Sequence, residues 1–395
     1  MPDHDFAYLS QGRLHRGESG IVESAFGRSL RDRAAQIHDR HAWKTKGRGA
    51  QFMQGMLWPG QGHDPGEFRV AITSVCGGRE PGAIFYTLET DDVGGIFAVD
   101  ASGLEERLFH TADFRVRHIA SSPDRGEVAA SIVHPNACTN IAVMKADGTG
   151  LREVTEGESV DLAPSWVPGD GARRLVFHSA GVGRDTTGRF TRLGPSGVQL
   201  LDLDSGDLTT VAEEPEADLL GPRMLADGTL LYIRRPYENG AVKLSPLTIL
   251  KDTVMLPFRM LYALYRYFNF FSMMYTGKPL STAQGGGAQR QPDLKQMMIW
   301  GNLIDAGKTA QGADRSDSEA PSVVPASWQL MRRRPGNAGG AADVMAKGVM
   351  SFDVTAAGDI VYSNGSAIYR LPARGAAGKL ERVIKSNLIE QVAAL

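Results

Sequence analysis

The chain has 395 residues, 42% hydrophobic and 22% charged, with 46 glycines. These proportions exclude global disorder and fit a globular protein with many tight turns. Lysine and arginine total 43 against 45 acidic residues, so the net charge of −2 gives no basic domain for nucleic acid. Two cysteines, Cys76 and Cys138, are too few for a disulfide framework, and a reducing compartment is the simpler expectation.

The N-terminal stretch MPDHDFAYLSQGRLHRGESG carries acids and no apolar core. It does not read as a secretory signal, so the expected location is cytoplasmic. Residues 1–60 read as an extension containing a helix, because Phe26, Leu30, Ala34, Ile37 and His41 fall at helical spacing. Arg31, Arg33, Arg40, Lys44, Lys46 and Arg48 invite an RNA-binding reading, but Asp32 and Asp39 dilute the patch into an ordinary solvated face.

From about residue 61 to 395 the chain repeats. A turn followed by an apolar strand recurs as SSPDRGEVAAS (121–131), SWVPGDGARRLVFHS (165–179), RMLADGTLLYIRR (223–235) and DVTAAGDIVYSNG (353–365). A strand–turn–strand unit recurs after the same interval, as GIFAVDASGLEERLF (95–109), NIAVMKADGTGLREVT (140–155), GVQLLDLDSGDLTTVA (197–212) and SAIYRLPARGAAGKLERVI (366–384). Asp-Gly and Ser-Gly tips between alternating runs predict β-hairpins. The turn glycines Gly126, Gly171, Gly228 and Gly358 are 45, 57 and 130 residues apart, so the last interval holds one repeat plus an insertion. A further copy begins near Arg69, with RVAITSV and GAIFYTLET.

This alternation resembles the repeat of the TolB family, which also occurs in the propellers of prolyl oligopeptidase-type enzymes. SSPDRG is the nearest match; VPGDG, LADG and TAAGD depart from it. The resemblance implies an all-β fold, a β-propeller of about six blades, with the remaining blade drawn from segment 324–350 or completed by the N-terminal region. A β-sandwich with similar turns is the competing architecture.

Between two blades, residues 241–345 read as a helical and loop insertion. VMLPFRMLYALYRYFNFFSMMY (254–275) approaches the length of a membrane span, but Arg259 and Arg266 lie within it on one helix face, which argues against spanning. Such a helix needs its rings covered by the propeller, by a protein partner or by a lipid surface. Phe258, Arg259, Tyr262, Arg266, Phe270 and Phe271 are the candidate partner contacts. LKQMMIWGNLIDA (294–306) is expected to form a second short helix, and 308–322 reads as a polar linker.

No nucleophile elbow, P-loop or zinc-protease motif is present, and no cofactor is expected. His118, His134 and His178 fall in consecutive repeats, where imidazoles could converge on a central channel. Propellers resembling the oligogalacturonate lyases hold a metal this way. His134 lies between strands, whereas His178 ends one, so joint metal binding is not expected. Of the pairs Arg173–Arg174 and Arg234–Arg235, one member of each must face away from the other. The resulting expectation is a non-catalytic propeller scaffold that binds protein. The alternative is a channel-site enzyme or ligand-binding propeller for a small or saccharide ligand, such as a metal-dependent lyase.

Overall fold

The computed structural model describes residues 6–17, 20–22, 24–30, 32, 70–90, 93–169, 171–237, 296–299, 302–305, 320–336, 342–372, 380–386 and 388–395. The chain divides into two units, Met1–Tyr237 with Ile304–Leu395, and Glu238–Leu303. The described residues are almost wholly β-structure. In chain order the strands are β1 (Phe6–Ser10), β2 (Arg13–Arg16), β3 (Gly20–Val22), β4 (Val70–Gly77), β5 (Ile84–Thr90), β6 (Gly94–Val99) and β7 (Glu105–Thr111). There follow β8 (Arg115–Ser121), β9 (Glu127–Val133), β10 (Thr139–Lys145), β11 (Arg152–Glu153), β12 (Ser159–Trp166), β13 (Arg174–Arg184), β14 (Phe190–Leu193), β15 (Gly197–Asp202) and β16 (Leu208–Ala212). The rest are β17 (Ala217–Met224), β18 (Leu230–Pro236), β19 (Gln296–Ile299), β20 (Asn302–Asp305), β21 (Gln329–Arg333), β22 (Asp343–Lys347), β23 (Ser351–Val354), β24 (Ile360–Ser363), β25 (Ala367–Leu371), β26 (Glu381–Lys385) and β27 (Ile389–Ala394).

The larger unit is a series of antiparallel meanders. The sheets β4-β5-β6-β7, β17-β18-β21-β22 and β23-β24-β25-β26 each have four strands. Strands β8 to β16 form one nine-stranded sheet, but its two halves meet only through a single parallel bridge, Thr139 to Val160. The last sheet takes β27 from the C-terminus and β1, β2 and β3 from the N-terminus, with Phe6 opposite Ala394. This pairing removes the open edge that β1 would otherwise present.

The first strand of each meander lies against the first strand of the next. Strand β4 contacts β8, β8 contacts β12, β12 contacts β17, β17 contacts β23, β23 contacts β27, and β27 returns to β4. The unit is therefore a closed ring of sheets around an axis, a β-propeller, and a β-sandwich has no such ring.

The core lies between neighbouring sheets. Ile84, Tyr86 and Leu88 of β5 pack on Leu9 and Leu14 of the sheet closed by the termini. Phe85 points the other way, onto Val128 and Ile132 of β9. Both faces of a second strand are thus buried, and IFYTLET reads as a nearly continuous apolar run instead of an alternation. In β9, likewise, Ala129 packs toward Trp166 and Phe177 while Val128 and Ile132 pack backwards.

Three expectations meet corrections or limits. The 294–306 segment holds two paired strands, β19 and β20, where a helix was predicted. A glycine, Gly301, interrupts the run in sequence and disfavours helix there. The insertion does not fall between two blades: β21 pairs with β18 along Leu230–Arg234, so the chain leaves after the second strand of a sheet and returns as its third. Strand β21 and the first residues of β22 fall within the 241–345 bounds of the insertion, and segment 324–350, the alternative source of a blade, supplies both strands. The N-terminal helix is described at 25–30, where Ser24 caps it by accepting from the Gly27 N–H at 2.9 Å. Apart from Asp32, the remainder of that predicted helix lies outside the described residues, as does the segment 254–275.

Candidate functional site

The turns set a common register for the first strands. In each meander one backbone N–H donates across the turn: Gly78 to Ala83, Ser122 to Glu127, Val167 to Arg174, Leu225 to Thr229 and Thr355 to Asp359. Two residues before these donors stand Cys76, Ala120, Ser165, Arg223 and Asp353; four before stand Ser74, His118, Ala163, Gly221 and Ser351. Strands β8, β12 and β17 each break register by a bulge that spans the fourth position back, and β4 breaks register just before Ser74.

The bulge places His118, Ala163 and Gly221 in the left-handed region, at φ 46, 53 and 55°. Glycine pays nothing for this conformation, whereas a histidine or alanine pays about 1–2 kcal/mol. Ser74 and Ser351, at the same position in other sheets, stitch neighbours together. Ser74 Oγ accepts from the Ile119 N–H at 3.0 Å, and Ser351 Oγ accepts from the Val392 N–H at 3.1 Å.

At the other position Arg223 and Asp353 carry opposite charges. Arg223 Nε donates to Asp353 Oδ1 at 2.8 Å, joining β17 to β23, and Asp353 Oδ2 accepts from the Ala394 N–H of β27 at 2.9 Å. Arg223 also acts electrostatically on His118, His178 and Cys76, which come from three other strands of the ring. Beside this cluster Arg235 donates to Asp218 Oδ2 at 2.9 Å, and its guanidinium lies over Trp328 at 5.2 Å. Both partners of that pair are buried.

Both imidazoles are held neutral. Burial, with Arg117 and Arg223 adding to it, pushes His118 down to about 3. Burial likewise lowers His178, with His118, Arg235 and Arg223 contributing. His178 Nδ1 accepts from the Gly221 N–H at 3.3 Å, so its acceptor nitrogen serves the backbone of β17. Burial pushes the Cys76 thiol up to about 12, which keeps it out of thiolate chemistry. Cys76 and Cys138 are both free thiols.

The structure thus brings His118 and His178 together and leaves His134 elsewhere. His134 Nε2 bonds Glu153 Oε2 at 3.0 Å, on β11, which pairs with β10, and its ring packs on Phe114. Among the described residues no cluster of three or more histidine, cysteine, aspartate or glutamate side chains could hold a metal ion. Arg235 is the inward member of its pair, while Arg234 turns outward to Glu214 at 2.7 Å. Arg173 bonds Glu127 and Asp204. Phe258, Arg259, Tyr262, Arg266, Phe270 and Phe271 lie outside the described residues. Sequence reasoning missed Arg223, Asp353 and Asp218. Counting two residues back from each turn donor would have found the first two.

The fold and its axial cluster define a β-propeller whose inner strands are joined by side-chain bonds. Similar solved structures include TolB from Acinetobacter baumannii, at 11% identity, 98% of this chain, 65% of that one and a TM-score of 0.48. Others are a chain of a nidogen/laminin complex, at 10%, 82%, 86% and 0.44, and a prolyl endopeptidase, at 13%, 92%, 42% and 0.38. The chain spans less than two thirds of the TolB chain it matches. No family model and no curated protein sequence matches it. These distant likenesses carry no argument about activity or partners; the fold rests on the ring of sheets itself.

Proposed function

We propose that the protein is a six-bladed propeller scaffold that binds a protein partner through surfaces added to the blade repeat. The six blades are β4–β7, β8–β11, β12–β16, the four strands β17, β18, β21 and β22, then β23–β26, and the sheet of β27 with β1–β3. The nine-stranded sheet counts as two blades, because a single parallel bridge is all that joins its halves.

The observation that carries this reading is the β13–β14 hairpin. Strand β13 continues beyond its last pair with β15, at Ser179, and folds back so that Val182 faces Leu193. The turn is stiffened by Asp185 Oδ1, which accepts from the Thr187 N–H and the Arg189 N–H at 2.8 and 3.0 Å. Residues 185–192 are all exposed, Phe190 by 50%. Arg184 is tied to Glu158, while among the described residues Arg189 and Arg192 make no ion pair. Among the described residues β14 pairs with β13 alone, and no described strand takes its other edge.

A rigid edge strand carrying an aromatic ring and two cations suits an extended acidic segment of a partner, which would add a strand and place carboxylates on the arginines. Tyr237 hydroxyl donates to Leu193 O at the base of this hairpin, and Tyr237 precedes the segment that carries the aromatic stretch 254–275. That stretch is proposed as a second contact. No helix among the described residues is long and apolar enough to cross a membrane, and liposome co-sedimentation distinguishes a peripheral lipid contact from a protein one.

The test is a photo-crosslinking residue at position 190 in native cells. One major adduct is expected, and Arg189→Glu with Arg192→Glu should remove it without shifting the thermal midpoint. Recovery of the same adduct at the same yield from the double variant would overturn the reading.

A further inference from the structure

A second feature lies far from the axis and from the hairpin. The outer strand β22 and the strands β24–β26 of the next sheet enclose a cleft of about 530 Å³. That volume falls within the range of sites for small organic ligands. Its walls include Met345, Leu371 and Leu380, with alanines and Gly348 leaving the space open. The charged residues that line it are Lys347 and Arg382, both exposed, with no carboxylate among the lining residues.

Inside sits a cross-strand pair of tyrosines, Tyr362 and Tyr369, stacked at 5.3 Å between ring centres. Tyr369 hydroxyl accepts from Asn364 Nδ2 at 3.5 Å. Asn364 is itself fixed, donating to Ala320 O and accepting from the Ser366 and Ala367 N–H groups. Tyr362 differs. Its side chain is only 5% exposed, it lines the cleft, and its hydroxyl has no hydrogen-bond partner among the described residues. The hydroxyl opens into the cleft, and a ligand oxygen would take the place of the water that reaches it.

We propose that this cleft binds a small organic anion with an apolar body. The Tyr362 hydroxyl donates to the anionic head, Lys347 and Arg382 neutralise it, and Met345, Leu371 and Leu380 cover the apolar part. Burial raises the Tyr362 hydroxyl above its ordinary value, so it remains a protonated donor.

The experiment titrates the full chain with the probe 1-anilinonaphthalene-8-sulfonate, read by fluorescence. Saturable binding to one site is expected. Tyr362→Phe, which keeps the ring and its stacking, should weaken it about tenfold, the worth of one charge-assisted hydrogen bond. Lys347→Met with Arg382→Met should weaken it at least as much, and because both side chains are exposed this variant should keep the wild-type melting temperature. N-phenyl-1-naphthylamine, an uncharged analogue, should bind more weakly and ignore the cation replacements. The proposal is overturned by absence of saturable binding, by unchanged affinity in both variants, or by equal affinity for the neutral analogue.

Discussion

His118 shows how one residue is set by its strand. Its φ of 46° follows from the bulge it shares with Ala163 and Gly221, and its low proton affinity follows from enclosure beside Arg223. The folded state therefore binds fewer protons than the unfolded chain between about pH 3 and the ordinary histidine value near 6.5. Stability must rise with pH through that window and fall as the solution is acidified, by up to about 1.4 kcal/mol per pH unit for each such histidine. His178 adds a change of the same sign. Asparagine tolerates the left-handed region, so His118→Asn should fold and lose less stability between pH 7 and pH 5 than the wild type. Urea unfolding at the two pH values checks this, and equal losses would contradict it. The buried Asp218–Arg235 pair gives a second expectation. Asp218→Asn leaves a guanidinium buried without its counter-charge and should cost about 3–5 kcal/mol in the same assay.

A single carboxylate holds the short helix at 25–30 against the sheet β4–β7. Glu105 of β7 accepts from the Ser24 hydroxyl at 2.7 Å, from the Phe26 N–H at 2.8 Å and from the Tyr86 hydroxyl. Phe26 then packs on Phe97 at 5.1 Å, with Arg107 over its other side at 5.7 Å. Glu105→Ala should speed hydrogen exchange of the 25–30 amides about tenfold or more while leaving β5 protected, because the lost bonds belong to the helix terminus. Uniform acceleration across both would show that the carboxylate supports the sheet instead. Turns display the same economy between neighbours. In SSPDRG the left-handed position belongs to Arg125, at φ 60°, where the later copies place Gly228 and Gly358. Its guanidinium donates to Gly78 O and Glu80 O at 3.0 and 2.8 Å, in the corresponding turn of the preceding sheet. Those bonds offset the strain that glycine would have avoided.

Closure is the property of the whole propeller. Strand β27 pairs with β1, contacts β23 and β4, and receives Asp353 at the Ala394 N–H, while Gln391 Nε2 donates to Val75 O at 3.2 Å. Removing residues 389–395 would open the ring, expose the edge of β1 and uncover Tyr8 and Val361, which pack on Ile389 and Val392. Such a chain should lose the single cooperative thermal transition, and melting at the wild-type midpoint would show that closure contributes little.

The sequence by itself determined the repeat. The hairpins 95–109, 140–155, 197–212 and 366–384 all pair as their tips and alternation implied, because a turn residue and a period of two act within a few residues of each other. It set His134 apart from His178 by strand position but grouped His118, His134 and His178 alike as channel candidates, and it ended at His178 a strand that runs on to Arg184. It did not locate the insertion within a sheet, since nothing local says that β18 must await β21 across so long an excursion. Nor could it show that Arg223, Asp353, His118 and His178 converge, or that Tyr362 faces an open cleft. Those residues lie on different strands, and only the closing of the ring decides which side chains meet at its axis and which gaps remain between its sheets.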